Sequence, residues 1–218
     1  MEPGMRTLKR RESRLFEAMH TTALVLDSFG VGIMYALLGR VEGMVSPQHD
    51  TACECNQVPG YVIRIPVLVA LRALASAKPV NELTMGLVPA PPKELPPGKA
   101  RTTVKGHGAT TLTAITPIFV TFYEQHRRWI SATLGSDSSS WPPLFNFARV
   151  IRNAISHHQG RIGFDNPNAS PVNWRGLTYS PRDIGRVVLP DDIDIGDLIV
   201  LLFDIGDELD RLGCPLNP

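Results

Sequence analysis

Apolar residues recur every three or four positions along much of this chain, and that spacing most constrains its fold. The clearest case is residues 144–157, where Leu144, Phe147 and Ile151 fall on one side of a helical wheel. Prolines precede this stretch and Gly160 follows it, as is typical of a helix start and a helix end. The spacing therefore predicts an amphipathic helix with one buried face.

The same spacing predicts further helices on either side of this one. They cover residues 15–38, 67–77, 110–134 and 191–212. A chain of 218 residues suits a single domain, here 1–218. Four or five helices in one domain predict an all-α fold, a helical bundle.

Three segments lack this spacing. Residues 6–14 carry five basic side chains, which oppose a helix dipole, so we interpret them as a solvated, frayed helix start, with contact to an anion as the alternative. Residues 78–101 contain six prolines and are predicted to be a loop or linker. Residues 161–190 are predicted to form a non-helical insertion before the last helix, with a small β-hairpin around Val172–Tyr179.

Charge is unevenly distributed although the formal net charge is only +1. Residues 125–186 contain eight arginines and three acids, whereas residues 191–218 contain eight acids and one arginine. The global charge does not favour nucleic-acid binding. A basic middle and an acidic tail fit either a binding face and its opposite or two ordinary solvated helix faces.

The cysteine content favours a reducing compartment. Three cysteines are too few for a disulfide framework, no secretory signal is visible, and we expect a cytoplasmic protein. Residues 21–41 come nearest to a membrane span, but they include Asp27, Arg40 and three glycines. We interpret them as a buried helix and expect no membrane contact.

A zinc site is the remoter possibility. His49, Cys53 and Cys55 lie close together in a predicted polar loop, with Cys214 as a distant further thiol. Zinc cysteines usually have about two to four residues between them, whereas one residue separates Cys53 from Cys55. We therefore prefer ordinary loop residues and expect no metal and no other cofactor.

The polar face of the predicted helix 144–157 gathers the side chains best suited to chemistry. Arg152 and His157 are five positions apart, roughly 140° on the wheel, so we expect them on two shoulders of that face rather than stacked. Two copies meeting across a dimer axis would then surround a shared cleft. The polar face comprises Arg149, Arg152, Asn153, Ser156 and His157.

These residue types suit cleavage of RNA by its own 2′-hydroxyl. A histidine can move the protons, and a guanidinium can hold the phosphate oxygens while charge develops on them. No metal is required, and the acidic cluster of a two-metal nuclease is absent from this helix. The alternative is an ordinary surface face of an amphipathic helix. His158 falls near the apolar side, and we expect it to cap the helix or pack rather than to act in catalysis.

The stretch from Arg152 to His157, RNAISH, resembles the motif of the HEPN superfamily of helical domains. That motif is an arginine, usually followed by a polar residue, and then a histidine after about four to six intervening residues, late in a helical bundle. Residues 158–162, HQGRI, also resemble stretches in members of that family. The resemblance covers residues 144–162 and extends loosely over the other helices.

The resemblance implies a metal-independent endoribonuclease, acting as a homodimer with a composite site and often as a toxin with an antitoxin partner or in defence. It implies that Arg152 stabilises the phosphate, Asn153 orients the site and His157 is the general acid or base. Family members that only bind RNA, nucleotide or protein keep a non-catalytic alternative open. The predicted substrate contacts beside these three are Arg149, Ser156 and Arg161.

Overall fold

The fold combines helices with antiparallel strands, so the predicted all-α bundle is wrong. A computed structural model describes residues 3–38, 50–66, 79–90 and 107–216 of the chain, and the helix expected at 67–77 lies outside them. The helices are α1 (Phe16–Leu38), α2 (His107–Leu134), α3 (Pro143–His157) and α4 (Ile195–Arg211). The strands are β1 (Gly4–Lys9), β2 (Asp50–Glu54), β3 (Tyr61–Pro66), β4 (Glu82–Pro89), β5 (Val172–Trp174) and β6 (Leu177–Tyr179).

Strands β1 to β4 form one antiparallel sheet in the order β1–β4–β3–β2. Successive residues of a strand point to opposite faces of the sheet, so alternate residues share a face. In β4 the alternate residues Leu83, Met85 and Leu87 are buried. Helix α1 packs against β4, while α4 packs against β2 and β3. The sheet therefore has a helical layer on its buried side.

Two segments that were not predicted to be strands contribute strands to this sheet. Residues 6–14 are not a frayed helix start, because residues up to Lys9 form β1 and pair with β4. Residues 82–89, predicted as part of a proline-rich loop, form β4 in the middle of the sheet. The prolines permit this because Pro79 precedes the strand and Pro89 is its last residue.

Helix α1 confirms the predicted N-terminal helix. It begins at Phe16, and its buried residues Phe16, Met19, Ala23 and Leu26 recur every three or four positions. It packs against both β4 and α2. Across the described ranges, no helix is long and apolar enough to cross a membrane.

Helix α4 lies at the centre of the molecule. The residues from Leu198 to Phe203 are all fully buried, and the helix contacts α2, α3 and the sheet. Its start is fixed by a capping box in which Asp194 accepts from the backbone N–H of Asp197, and Asp197 accepts from that of Asp194. Acids at the helix start are as the sequence predicted.

The predicted hairpin within residues 161–190 is present, formed by β5 and β6. It belongs to the core rather than to an appendage. The ring of Phe147 on α3 lies 5.5 Å from the ring of Trp174 and 5.6 Å from that of Tyr179, measured between centroids. The Trp174 indole N–H also donates to Asp204 on α4 at 2.8 Å. The hairpin therefore joins α3 to α4.

Four of the eight acids in residues 191–218 pair with arginines from other parts of the chain. Those arginines come from the N-terminal segment and from the hairpin region. Such pairs contribute little each when exposed, but several of them tie distant parts of the chain to α4. The pairs are Arg6–Asp207, Arg14–Asp210, Arg175–Asp204 and Arg186–Asp192.

Candidate functional site

The C-terminal end of α3 places the predicted motif beside α2. Pro143 at the first turn starts α3, since proline lacks only an N–H that would have no helical partner there. The helix stops because Gln159 and Gly160 adopt positive φ angles of 53° and 78°. The Gly160 N–H donates to the carbonyl of Ala154 at 2.8 Å and closes the last turn.

Arg152 and His157 meet within one copy of the chain. Arg152 Nη1 lies 2.9 Å from His157 Nε2, and the same nitrogen donates to Asn153 Oδ1 at 2.9 Å. Arginine can only donate, so Nε2 of His157 is the acceptor and its ring proton lies on Nδ1. The expectation that the two side chains stand apart is wrong, because the long arginine side chain spans the angle between their positions on the helix.

Glu124 on α2 holds the arginines of this region. Its Oε1 lies 2.6 Å from Nε of Arg152, and its Oε2 lies 3.5 Å from Nη1 of Arg127. The Arg152 Nε–H does not point at the carboxylate, so this contact is an ion pair without hydrogen-bond geometry. The Arg152 side chain is 17% exposed, so its Nη groups remain reachable from solvent.

These side chains line a cleft of about 390 Å³ between α2, α3 and the loop after α3, which we call the motif cleft. Most of the side chains that line the motif cleft are cationic or titratable, and guanidinium groups of this kind bind phosphate oxygens. Its wall combines residues of three separate segments. The lining residues are Tyr123, Glu124, Arg127, Arg149, Arg152, Asn153, His157, His158 and Asp165.

Besides the Glu124–Arg152 ion pair, two groups of the motif cleft have unused hydrogen-bonding capacity. The Tyr123 hydroxyl and Arg149 Nε are buried and have no hydrogen-bond partner among the described residues. Burial raises the pKa of Tyr123 to about 12, which keeps its hydroxyl protonated at neutral pH. Buried polar groups normally have a partner, so both are candidate donors to a bound ligand.

The structure brings together four of the six predicted site residues. Arg149, Arg152, Asn153 and His157 line the motif cleft, whereas Ser156 and Arg161 do not. Ser156 is exposed outside the cleft. The Arg161 guanidinium donates to the carbonyl of Gly185 at 2.9 Å, which secures the loop after α3.

Sequence reasoning missed the residues that complete the cleft from outside α3. Arg127 lies four positions after Tyr123 and three after Glu124, so the three share one face of α2. That spacing is visible in the sequence. His158 was expected to cap the helix or pack; it is the C-cap residue, and its ring is also exposed toward the cleft. Nothing in the sequence indicated that Asp165 returns to this site.

The cysteines considered for zinc are buried in the core. Burial raises the pKa of both Cys53 and Cys55 to about 12, which favours the protonated thiol. No group of three or more histidine, cysteine or acidic side chains in the described ranges is arranged to hold a metal ion. His49 lies outside those ranges.

Comparisons of this chain with protein-family models, with curated proteins and with solved structures find no match. The geometry of the motif cleft is therefore the basis for a functional conclusion.

Proposed function

We propose that the motif cleft binds a phosphodiester of RNA and cleaves it without a metal ion, in a cytoplasmic protein. The 2.9 Å contact between Arg152 and His157 carries the proposal, because it places a phosphate-binding cation directly beside a proton-transfer group. The other arginines and Tyr123 in the cleft add donors to the same position. The three unpaired cysteines support a reducing location.

Substrate binding would release the histidine for chemistry. A phosphate oxygen competes for Nη1 of Arg152, which now donates to His157, and a charged acceptor is the stronger partner. His157 Nε2 is then free to accept the proton of the 2′-hydroxyl. Its neutral form has the required lone pair on that nitrogen.

The reaction then follows from the chemistry of the 2′-hydroxyl. The 2′-oxygen bonds to phosphorus, the bond from phosphorus to the 5′-oxygen breaks, and the 5′-oxygen receives a proton. His158, whose ring centre lies 6.3 Å from that of His157, is positioned to donate that proton when it is in its imidazolium form. The products are a 2′,3′-cyclic phosphate and a 5′-hydroxyl.

A homodimer with a composite site remains part of the proposal. Each copy carries its own Arg152–His157 pair, so a second copy would add donors to a site that one copy already outlines. A mixture of Arg152→Ala and His157→Ala tests how the site is shared: it stays inactive if the pair within one copy acts together, whereas recovered activity would show that a site takes Arg152 from one copy and His157 from the other. An antitoxin or other protein partner is a further expectation from the family resemblance alone.

The decisive experiment incubates RNA with the wild-type chain, Arg152→Ala and His157→Ala in the presence of EDTA. We expect the wild type to cut, and each variant to lose at least about 100-fold in rate, as is typical for loss of a general acid–base group or a charge-stabilising donor. An RNA with one 2′-deoxy residue at the cut should resist cleavage. Gel analysis and phosphate-end mapping measure both effects.

Two variants serve as controls in the same assay. Arg128→Ala removes an exposed arginine of α2 outside the motif cleft, and Ser156→Ala removes the exposed neighbour of His157. Both should retain wild-type cleavage if the cleft is the active site. Activity that requires a divalent metal, or that survives in folded His157→Ala, would contradict the proposal.

A second candidate function is binding of RNA or nucleotide without cleavage. The observation that favours it is that Arg152 already contacts Glu124, Asn153 and His157, an arrangement that a purely binding or structural residue could also have. A wild-type chain that never cuts, yet retards RNA on a gel in a manner that depends on Arg152, would support this alternative.

A further inference from the structure

A second concave surface adjoins the motif cleft. It has a volume of about 370 Å³, in the range of small-molecule sites, and lies between the start of α3 and the chain from Phe164 to Asn173. We call it the α3 groove. Arg149 and Asp165 line both the groove and the motif cleft, so the two are continuous.

The two halves of this surface differ in charge. The motif cleft has three arginines, Arg127, Arg149 and Arg152, against two carboxylates. The α3 groove has only Arg149 against Asp137 and Asp165. A phosphate is therefore favoured in the cleft over the groove, and the charges fit a ligand that is anionic in the cleft and carries no negative charge in the groove.

The groove has the walls of a site for a flat, polar ring. Phe164 is half-buried against the core and lines the groove, where one side of a ring can stack. Amides surround it: Asn146 donates through Nδ2 to the carbonyl of Trp141 at 3.0 Å, which leaves its Oδ1 as an acceptor. Asn173 on β5 is exposed and presents a complete amide.

We propose that the α3 groove holds the nucleobase of the nucleotide adjoining the phosphate in the motif cleft. This inference rests on the proposed function, and it specifies the substrate as unpaired RNA, because a base within a duplex cannot enter a side groove. Phe164 supplies the stacking surface, and Asn146 and Asn173 contact the base edge. Arg149 binds at the junction of base and phosphate.

The test compares two short probes that the enzyme cannot cut, a 2′-O-methyl RNA and the same backbone without bases. Fluorescence anisotropy measures the affinity of the wild-type chain for each. We expect the probe with bases to bind about tenfold tighter or more, since stacking of a base on an aromatic ring typically contributes that much. Phe164→Leu and Asn173→Ala should reduce this ratio while leaving affinity for the abasic probe unchanged.

Two further variants make the result specific. Arg127→Ala should weaken both probes equally, because Arg127 lines only the motif cleft. Thr178→Ala should change neither, since Thr178 is exposed, lies directly across the hairpin from Asn173 and does not line the groove. Asn173→Ala removes an exposed side chain, so its result does not depend on a change in the core.

The inference is overturned if both probes bind with equal affinity, or if Phe164→Leu and Asn173→Ala leave the affinity ratio unchanged. Failure of the proposed function looks different. In that case the ratio and its loss in the variants persist, but cleavable RNA is not cut by the wild type. Absence of binding to either probe overturns both.

Discussion

At the scale of single residues, the start of α4 brings two carboxylates, Asp194 and Asp197, together in a largely buried position. Asp197 is fully buried, and burial raises its pKa, although the backbone N–H groups of Gln57, Asp194 and Asn56 donate to the carboxylate and offset part of that rise. Burial, and then the neighbouring charge of Asp197, raise the pKa of Asp194 to about 7 from a normal 3.8. The two carboxylates therefore hold one charge more easily than two.

This arrangement predicts a stability that depends on pH. Because the pKa of Asp194 is raised in the folded state, its stabilising contribution is complete below about pH 3.8 and is lost as the pH rises through about 7. Asp194→Asn keeps a helix-capping side chain but cannot ionise. We expect its melting temperature relative to wild type to rise between pH 4 and pH 8.

Thermal melts of both proteins across that pH range check this prediction. Asp191→Asn, which removes an exposed acid just before the helix, is the control for a change in net charge. A difference between Asp194→Asn and wild type that stays constant with pH would show that Asp194 is ionised throughout.

The sequence predicted the residues of the candidate site on α3 but not their geometry. Arg149, Arg152, Asn153 and His157 could be found because one helix carries them all. A helical wheel gives the direction in which each side chain leaves the helix but not its reach, so the Arg152–His157 contact was missed. The residues that α2 contributes to the cleft depend on which face of α2 packs against α3. That packing is decided by tertiary structure.

At the scale of elements, two glycines of α4 set its distance from its neighbours. A Cβ at Gly196 would overlap the backbone carbonyl of Glu54 in β2, whereas a Cβ at Gly206 would meet the end of the Leu15 side chain at 2.8 Å. A backbone cannot move aside easily, but a leucine side chain can change rotamer. The first contact therefore fixes how closely α4 approaches the sheet.

We predict that Gly196→Ala destabilises the fold by roughly 2 kcal/mol or more, as overpacking of a close contact does. Gly206→Ala should cost less, because alanine is the better helix former and offsets part of the strain. Urea denaturation of the two variants beside wild type measures the difference. Equal costs for both substitutions would contradict a close approach of α4 to β2.

The helices were predictable because each repeats its apolar face over several turns. The sheet was harder to predict, since β1 and β2 are short and β1 pairs with β4, which is distant in sequence. The alternation of Leu83, Met85 and Leu87 was present in the sequence but was outweighed by the surrounding prolines. Strand pairing between β1 and β4 depends on tertiary contacts that no local pattern contains.

At the scale of the whole molecule, Arg14 joins the two ends of the described chain. Its side chain is only 2% exposed and donates to Asp210 and to the carbonyls of Cys214 and Pro215. We predict that Arg14→Ala lowers the free energy of unfolding by roughly 2 kcal/mol, because several charge-assisted hydrogen bonds are lost together. Arg11→Ala, which removes an exposed arginine three residues earlier, should change it by less than about 0.5 kcal/mol.

Chemical denaturation of the two arginine variants gives both values. Similar stability of Arg14→Ala and Arg11→Ala would show that the pairing of the two ends contributes nothing. The same result would indicate that the arginines of the basic N-terminal segment behave as ordinary solvated side chains.

The central position of α4 has a consequence for how the chain is made. The buried stretch from Leu198 to Phe203 leaves the ribosome after every strand of the sheet, and the Arg6–Asp207 pair joins residues 201 positions apart. The apolar faces of the sheet, α1 and α2 therefore stay exposed to solvent until α4 has been synthesised and can pack against them. Contacts of such separation slow folding and expose the nascent chain to aggregation, so we expect this protein to depend on chaperones during synthesis more than a local helical bundle would.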